Sequence, residues 1–459
     1  MAHAERDLVV VGAGAAGLAA ARRGRELGLD PLVLEAKDRI GGRAWTDTFS
    51  LGVPWERGAN WLHEAERNLF RRYANEAGFA YERRRPERRL WSEGRFDSAL
   101  RAELDAYEES ARDAIAAAAA AGRDVAAAEV IPPHPRFGPL SEPWFAAMNG
   151  IEAARMSTVD AARAALTGSA WRVEAGYGAL LAHFGREVAV ELVTPVERIR
   201  WGARPLQVET ARGRLDAAAV LVTVSTNVLA SGRIAFEPPL PAARRDALAA
   251  VPTGHANKVA LAFARNPFGC EDAFSLRIEH PRHAAFFFEV RPFGRELAIG
   301  HLGGQWALEA ELAGPDAMAE LATAALEHAF GSAVRRQRRD FAATAWCRDP
   351  EILGGYSCAL AGEAHRRPVL AEPLDERLFF AGEACSLGAF GTVHGAAETG
   401  IAAAEAVAQR LQPGRRVADD APRSAMARGE HLDRVAEAAQ LEAPERSEPA
   451  RAVRRERRR

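Results

Sequence analysis

Gly12, Gly14 and Gly17 stand in the order G-x-G-x-x-G, with Ala15 directly behind the second, and Glu35 follows eighteen residues past the third. The first glycine permits a tight turn, the second lets a pyrophosphate approach the backbone, and the third lets a helix pack closely on a strand. Amide donors and the positive end of the helix dipole then face the phosphates. The Glu35 carboxylate, with Ala36 beside it, is placed to accept hydrogen bonds from a ribose diol and disfavours a 2′-phosphate. The chemistry is dinucleotide binding, with FAD or NAD preferred to NADP. For the glycines alone, a structural turn is the alternative. A lysine is also out of place. Lys258 heads "NKVALAF" (257–263), where Val259, Leu261 and Phe263 alternate with Lys258, Ala260 and Ala262 as in a half-buried strand. An ammonium is costly there unless something holds it, and its pKa shifts readily. The alternative is a side chain reaching from a strand end to solvent.

The elements that must position these residues read as alternating strands and helices. "DLVVVGAGAAGLAAARRGRELG" (7–28) is a strand, a glycine turn and a helix, and "PLVLEA" (31–36) is a second buried strand, making one βαβ unit. Residues 101–130 are Ala-rich and predict a helix. The prolines of "VIPPHPRFGP" (130–139) predict a loop. Strand-like runs fill 188–224, "AFFFEVRPFGRELAIGHLGG" (285–304) predicts a hairpin, and "DAMAELATAALEHAF" (316–330) an amphipathic helix. "RLFFAGEA" (377–384) predicts one more strand feeding a glycine turn and a helix. Residues 415–459, crowded with Arg, Glu, Asp, Ala and Pro, predict a solvated tail with too little apolar surface to offset its ordering entropy.

A chain of 459 residues exceeds one ordinary core, so two domains are expected. A formal net charge of −2 gives no reason to expect a nucleic-acid or anionic-membrane partner. Four scattered cysteines lack metal-ligand spacing, and no apolar run is long enough to span a membrane. "MAHAERDLVVVGAGAAG" has no basic head before its apolar stretch, which argues against a signal peptide and for a cytoplasmic enzyme.

"EAKDRIGGRAWT" (35–46) places Gly41, Gly42 and Arg43 directly behind the ribose-binding acid. Consecutive glycines let backbone lie against a flat ligand or phosphate, and an arginine completes a charge-assisted contact. This run resembles the flavin-containing amine oxidase family, whose members include monoamine and polyamine oxidases, and the resemblance extends over residues 6–412. "GANWLH" (58–63) is similar to the family's segment under the flavin, which implies cofactor contacts for Gly58, Ala59, Asn60 and Trp61. "VEAGYGALLAHF" (173–184) resembles its mid-chain glycine turn, and "TPVERIRW" (194–201) the strand whose valine backbone, here Val196, holds the adenine. "AWCRDPEILGGYS" (345–357) resembles the stretch setting Trp346 and Tyr356 beside the flavin ring. "LFFAGEACSLGAFGTVHGAAETG" (378–400) resembles the C-terminal flavin signature. There Gly382 and Glu383 lie toward the ribityl–phosphate end and Gly391, Thr392 and Val393 at the ring.

The same resemblance implies that the Lys258 ammonium reaches the flavin N5 through a water. It also implies that Tyr356 steers a neutral amine onto the flavin and that His63 lies beside the substrate, as in animal polyamine oxidases. Gly355 stands where monoamine oxidases carry a flavin-linking cysteine, so FAD is expected to be non-covalent. Plant polyamine oxidases have acids at the places of His63 and Gly178, and L-amino-acid oxidases a carboxylate-clamping arginine at Trp61.

The expected fold is α/β. A discontinuous Rossmann-like FAD domain (1–80, 168–252, 368–412) carries a sheet-and-helix substrate domain (81–167, 253–367) and a tail (413–459). The expected function is oxidation of a small-molecule amine by O2 to an imine and hydrogen peroxide, leaning toward polyamine-type or other primary or secondary amines. The protein is expected to be a monomer or homodimer with no metal. The rivals are a flavin desaturase or porphyrinogen-type oxidase, an L-amino-acid oxidase, and a non-catalytic FAD-binding protein.

Overall fold

Leu8–Val11 is apolar at every position because the strand Arg6–Val11 lies at the centre of a parallel sheet covered on both faces. The chain is seen in a computed structural model that describes residues 5–164, 169–280 and 284–412; the tail expected over 413–459 lies outside the described residues. Arg6–Val11 pairs in parallel with Pro31–Leu34 on one side and with Gly213–Val222 on the other, and Leu378–Phe380 adds in parallel to Gly213–Val222. Three segments distant in sequence thus build one sheet. Its antiparallel edge comes from Val196–Arg200 and Leu206–Thr210. The helix Ala15–Glu26 packs against the last helix, Val393–Leu411, through small residues. A Cβ on Gly400 would overlap the Ala16 carbonyl, so the two helices approach closely.

A second, mainly antiparallel sheet has the order Arg338–Ala343, Ala256–Phe263, Leu297–Gly303, Ala284–Val290, Phe274–His280, Glu87–Ser92 and Arg95–Phe96. The expected hairpin is the pair Ala284–Val290 and Leu297–Gly303. One face of this sheet, with Val259, Leu261 and Phe263, is covered by Met318, Ala322 and Leu326 of the helix Pro315–Phe330. On the other face, Ala260, Ala262 and Ile299 pack on Trp55 and Leu51. The Ala-rich helix spans Ser98–Ala120 and stops there, shorter than the expected 101–130, because Gly122 turns with a positive φ of 71°. The expected loop 130–139 is cut short by the helix Phe137–Asn149, which carries Pro143 inside it. No helix among the described residues is long and apolar enough to cross a membrane.

Candidate active site

The glycine turn has the form its residue types require. Gly12 sits at φ +103°, its N–H donating to Leu34 O at 2.8 Å, and a Cβ on Gly17 would overlap Gly12 O. Around Gly14 a Cβ would meet nothing within 4 Å, so the backbone there is open to a ligand. Gly14 caps the helix that starts at Ala15 without any side-chain hydrogen bond, which leaves first-turn amides for an incoming anion. Glu35 accepts from Ala13 N at 2.7 Å and Lys37 N at 2.9 Å, with Ala36 half-buried between its anchors. Burial pushes the Glu35 carboxyl up, against those two hydrogen bonds and the charges of Arg39 and Lys37. The double glycine lies against the same turn: Gly41 N donates to Ala13 O at 2.8 Å, and Gly42, at φ +57°, backs onto Gly14. An uncapped helix start, a glycine open to space and a buried acid at the next strand end fit a flavin dinucleotide. Gly14, Ala15 and Gly42 would lie along its pyrophosphate and Glu35 at its ribose, with Gly12 making the turn and Gly17 the close helix–strand packing behind them.

Arg43 links the segments behind this turn. Its Nη1 donates to Gly355 O at 2.5 Å and to Glu383 Oε1 at 2.9 Å, while its own carbonyl accepts from Ala59 N at 3.0 Å. Gly58 has no room for a Cβ against Arg43 O. Glu383 also accepts from Ser357 N and Oγ and from Gly391 N, so both oxygens are occupied by protein donors. Burial alone would raise its pKa, but Arg43 and these donors hold it below the usual range. Gly382 (φ +141°) and Gly391 (φ +69°) open the backbone before Thr392, whose Oγ1 accepts from Gly395 N at 3.0 Å and so caps the helix beginning at Val393. Val196 begins its strand paired with Thr210. Trp346 is held by Nε1 on Arg57 O at 3.0 Å and by its N–H on Asn257 Oδ1 at 3.0 Å.

Lys258 does not reach for bulk solvent. Its Nζ donates to Gly58 O at 2.7 Å and to Glu56 O at 3.2 Å, tying the lysine strand to the Gly58–Trp61 segment. Burial pulls its pKa down, and the charges of Glu289 and Glu56 act against that. Register explains the placement: Arg277, Phe287, His301 and Lys258 lie abreast on four neighbouring strands. One face of the sheet therefore carries a polar row at the level of that segment. Tyr356 donates Oη to Ala147 O at 2.6 Å, its ring against Gly391 and Gly150. Trp144 packs edge-to-face on Phe287 with ring centres 4.6 Å apart. Lys258, His63, His301 and Tyr356 all keep some accessible surface, yet burial is the largest cause of each one's pKa shift. Burial, with His394 next, pushes His63 down to about 4, and burial pushes Tyr356 up to about 12, so both are neutral at physiological pH.

Sequence reasoning missed the charged layer beside Lys258. Asn60 donates Nδ2 to both oxygens of the buried Glu289, at 2.8 and 2.9 Å. Arg172 binds Glu82 at 2.5 Å, lies 3.6 Å from Glu289, and has its guanidinium 5.2 Å from the Trp61 ring centre. Burial would raise the Glu289 carboxyl, but His301, Lys258 and Arg172 overcome it and hold it at about 2. The signal that flags Lys258, a charge in an apolar strand, is present in "AFFFEV" and "LAIGHLG" too. Gly178, where plant enzymes carry an acid, is pressed on the Trp45–Thr46 backbone with no space for a side chain.

Comparison with known proteins decides the family. The model of the flavin containing amine oxidoreductases matches residues 15–408. The chain belongs to that family. Polyamine oxidase 4 of Oryza sativa subsp. japonica is 28% identical over 440 residues, covering 88% of this chain and 89% of its own. Lysine-specific histone demethylase 2 of Homo sapiens is 26% identical over 88% of this chain, which spans 53% of that protein. The structure of cyclohexylamine oxidase from Brevibacterium oxydans IH-35A superposes with a TM-score of 0.73 at 23% identity, covering 89% of this chain and 99% of that one. As a flavin containing amine oxidoreductase the protein is an enzyme whose family implies a flavin and an amine substrate.

Proposed function

We propose that the protein is an FAD-dependent oxidase of amines that carry no carboxylate beside the nitrogen, polyamine-type or other primary or secondary amines among them. A bound flavin would supply the two-electron redox chemistry: a hydride leaves the α-carbon and a proton leaves the nitrogen, so that the amine becomes an imine and dioxygen hydrogen peroxide, and water then hydrolyses the imine. The residues supply position and environment. Tyr356, Trp144 and Phe287 wall a cavity that excludes water, and Lys258 holds a donor at its inner end. The observation that carries this reading is Lys258 anchored to Gly58 and Glu56 in the same row of the sheet as Phe287, against which Trp144 packs. The polyamine lean rests on the relatives and not on a cavity acid, since Gly178 has no space for one.

Substrates with an α-carboxylate are disfavoured because Trp61 offers no cation and the nearby Arg172 is committed to Glu82 and Glu289. A buried carboxylate without a partner is strongly unfavourable. An amine should therefore turn over faster than its α-carboxylated analogue in a peroxide-release assay; the opposite order would make the enzyme an amino-acid oxidase. The FAD is held without a covalent bond. A Cβ on Gly355 would crowd Ala256, and the Cys358 thiol is buried with Sγ 3.7 Å from Pro252 O. Acid or heat denaturation should leave all the yellow colour in the supernatant. Flavin that pellets with the protein would refute this and point to Cys358 or Cys385.

A further inference from the structure

We propose that His301, backed by Glu289, is the proton acceptor that removes the charge of an ammonium substrate as it enters the cavity beside Lys258. The inference rests on the amine-oxidase reading and names a residue that no motif of the chain singles out. A free alkylamine is protonated near neutral pH, and its α-carbon releases electrons only when the nitrogen lone pair is free to stabilise the positive charge that forms. A second ammonium beside Lys258 in a desolvated cavity is also repelled. The proton must therefore go to the protein or be lost to water before entry.

His301 has the geometry to take it. It lies directly across from Lys258 on the neighbouring strand, with its ring 5.1 Å from that of Phe287 in the cavity wall. Its Nε2 has no accessible surface and lies at ion-pair distance, 3.1 Å, from Glu289 Oε1 without making a hydrogen bond to it, whereas the side chain as a whole is 12% exposed. A neutral imidazole keeps one ring nitrogen with a free lone pair, and a carboxylate 3.1 Å from the ring stabilises the cation that forms when that nitrogen is protonated. The charged groups acting on the ring are Lys258 from one neighbouring strand and Glu289 from the other. Beyond them stand Arg172, behind Glu289, and Arg277, beyond Phe287 and bound to Glu108 at 2.6 Å; the helix packed on this face brings Trp144 against Phe287. Burial, with the Lys258 charge, lowers the His301 pKa and Glu289 opposes this, so the resting ring is a neutral base at pH 7. In the step, one N–H bond of the ammonium breaks, its electron pair stays on nitrogen, and the proton passes to the unprotonated nitrogen of the His301 ring. Glu289 balances the imidazolium, and no electrons are transferred. His63, the other cavity imidazole, has no comparable carboxylate at hydrogen-bonding distance among its described contacts.

The test uses the flavin-loaded full chain and whichever of benzylamine, putrescine or spermine the wild type oxidises fastest. Anaerobic flavin bleaching is followed against pH. His301→Asn should bleach roughly a hundredfold more slowly at pH 7 and regain the wild-type rate as pH approaches the pKa of the free amine. Glu289→Gln should show the same trend, smaller. In wild-type enzyme with ¹⁵N-labelled histidine, tert-butylamine, which has no α-hydrogen, should convert the His301 ring to imidazolium, a readout independent of turnover and of any variant's folding. Profiles of wild type and His301→Asn that differ only by a constant factor would overturn the proposal, as would an unchanged ring on tert-butylamine binding. So would a pH limb lost in Lys258→Met and kept in His301→Asn. A wild type that no amine bleaches at any pH would instead sink the amine reading, and this proposal with it.

Discussion

The Lys258→Met variant is expected to load flavin, oxidise amines, and then be reoxidised by dioxygen roughly a hundredfold more slowly than the wild type. Methionine keeps much of the apolar stem and removes the ammonium with its hydrogen bonds. A fixed donor aimed where negative charge develops is worth about 3 kcal/mol when preorganised in a site that excludes water. Lys258 is preorganised in that sense, with Gly58 O at 2.7 Å and Glu56 O at 3.2 Å fixing its Nζ. These carbonyls also change the expected folding cost. If a mobile water were the only partner, the loss would be small. Two buried carbonyls left without a donor instead cost about 1–3 kcal/mol each at most, so a lower melting temperature with the fold retained is expected. Rapid mixing of reduced enzyme with dioxygen decides the catalytic part. Wild-type rates in both half-reactions would leave Lys258 a purely structural tie between the sheet and the Gly58–Trp61 segment.

Arg367→Leu is expected to destabilise the flavin-loaded protein by about 3–5 kcal/mol, the cost of leaving one partner of a buried pair uncompensated. Arg367 and Asp160 are both fully buried. The guanidinium donates through Nε to Asp160 Oδ1 at 2.9 Å, through Nη2 to Oδ2, and through Nη1 to Ser357 Oγ at 2.8 Å, and it stacks on Phe390 at 3.8 Å. Asp160 is the charge such a change strands, with only the Ala359 amide left donating to its carboxylate among the described residues. Ser357 in turn holds Glu383 and adjoins Tyr356, so the loss should reach the cavity as a raised KM. Replacing both partners, as in Asp160→Leu with Arg367→Met, should recover much of the stability, because no uncompensated charge remains. Denaturant midpoints of the single and double variants check this. Equal losses in both would show that the pair acts by packing and not by charge.

Local chemistry made part of this protein legible in its residues alone. Gly12, Gly14, Gly17 and Glu35 could be read because a tight turn, an open backbone and a strand-end acid are needs met within one βαβ unit. Lys258 stood out because an ammonium in an alternating strand contradicts its own neighbourhood. The helix Pro315–Phe330 and the hairpin around Arg291–Glu296 follow from periodicity and turn residues in the same way. The Ala-rich run was over-extended to 130 because alanine favours a helix without specifying its end. Only the tertiary structure decided which charges belong together. Glu289 meets Asn60 across 229 positions and Arg367 meets Asp160 across 207, and although an apolar strand marks Glu289 as out of place, nothing local names the partner in either pair. In isolation Arg367 and Asp160 each read as a solvated charge. Burial makes them partners, because a charge removed from water is tolerated only where another element brings its counter-charge, and that depends on how the sheets and helices close over the site.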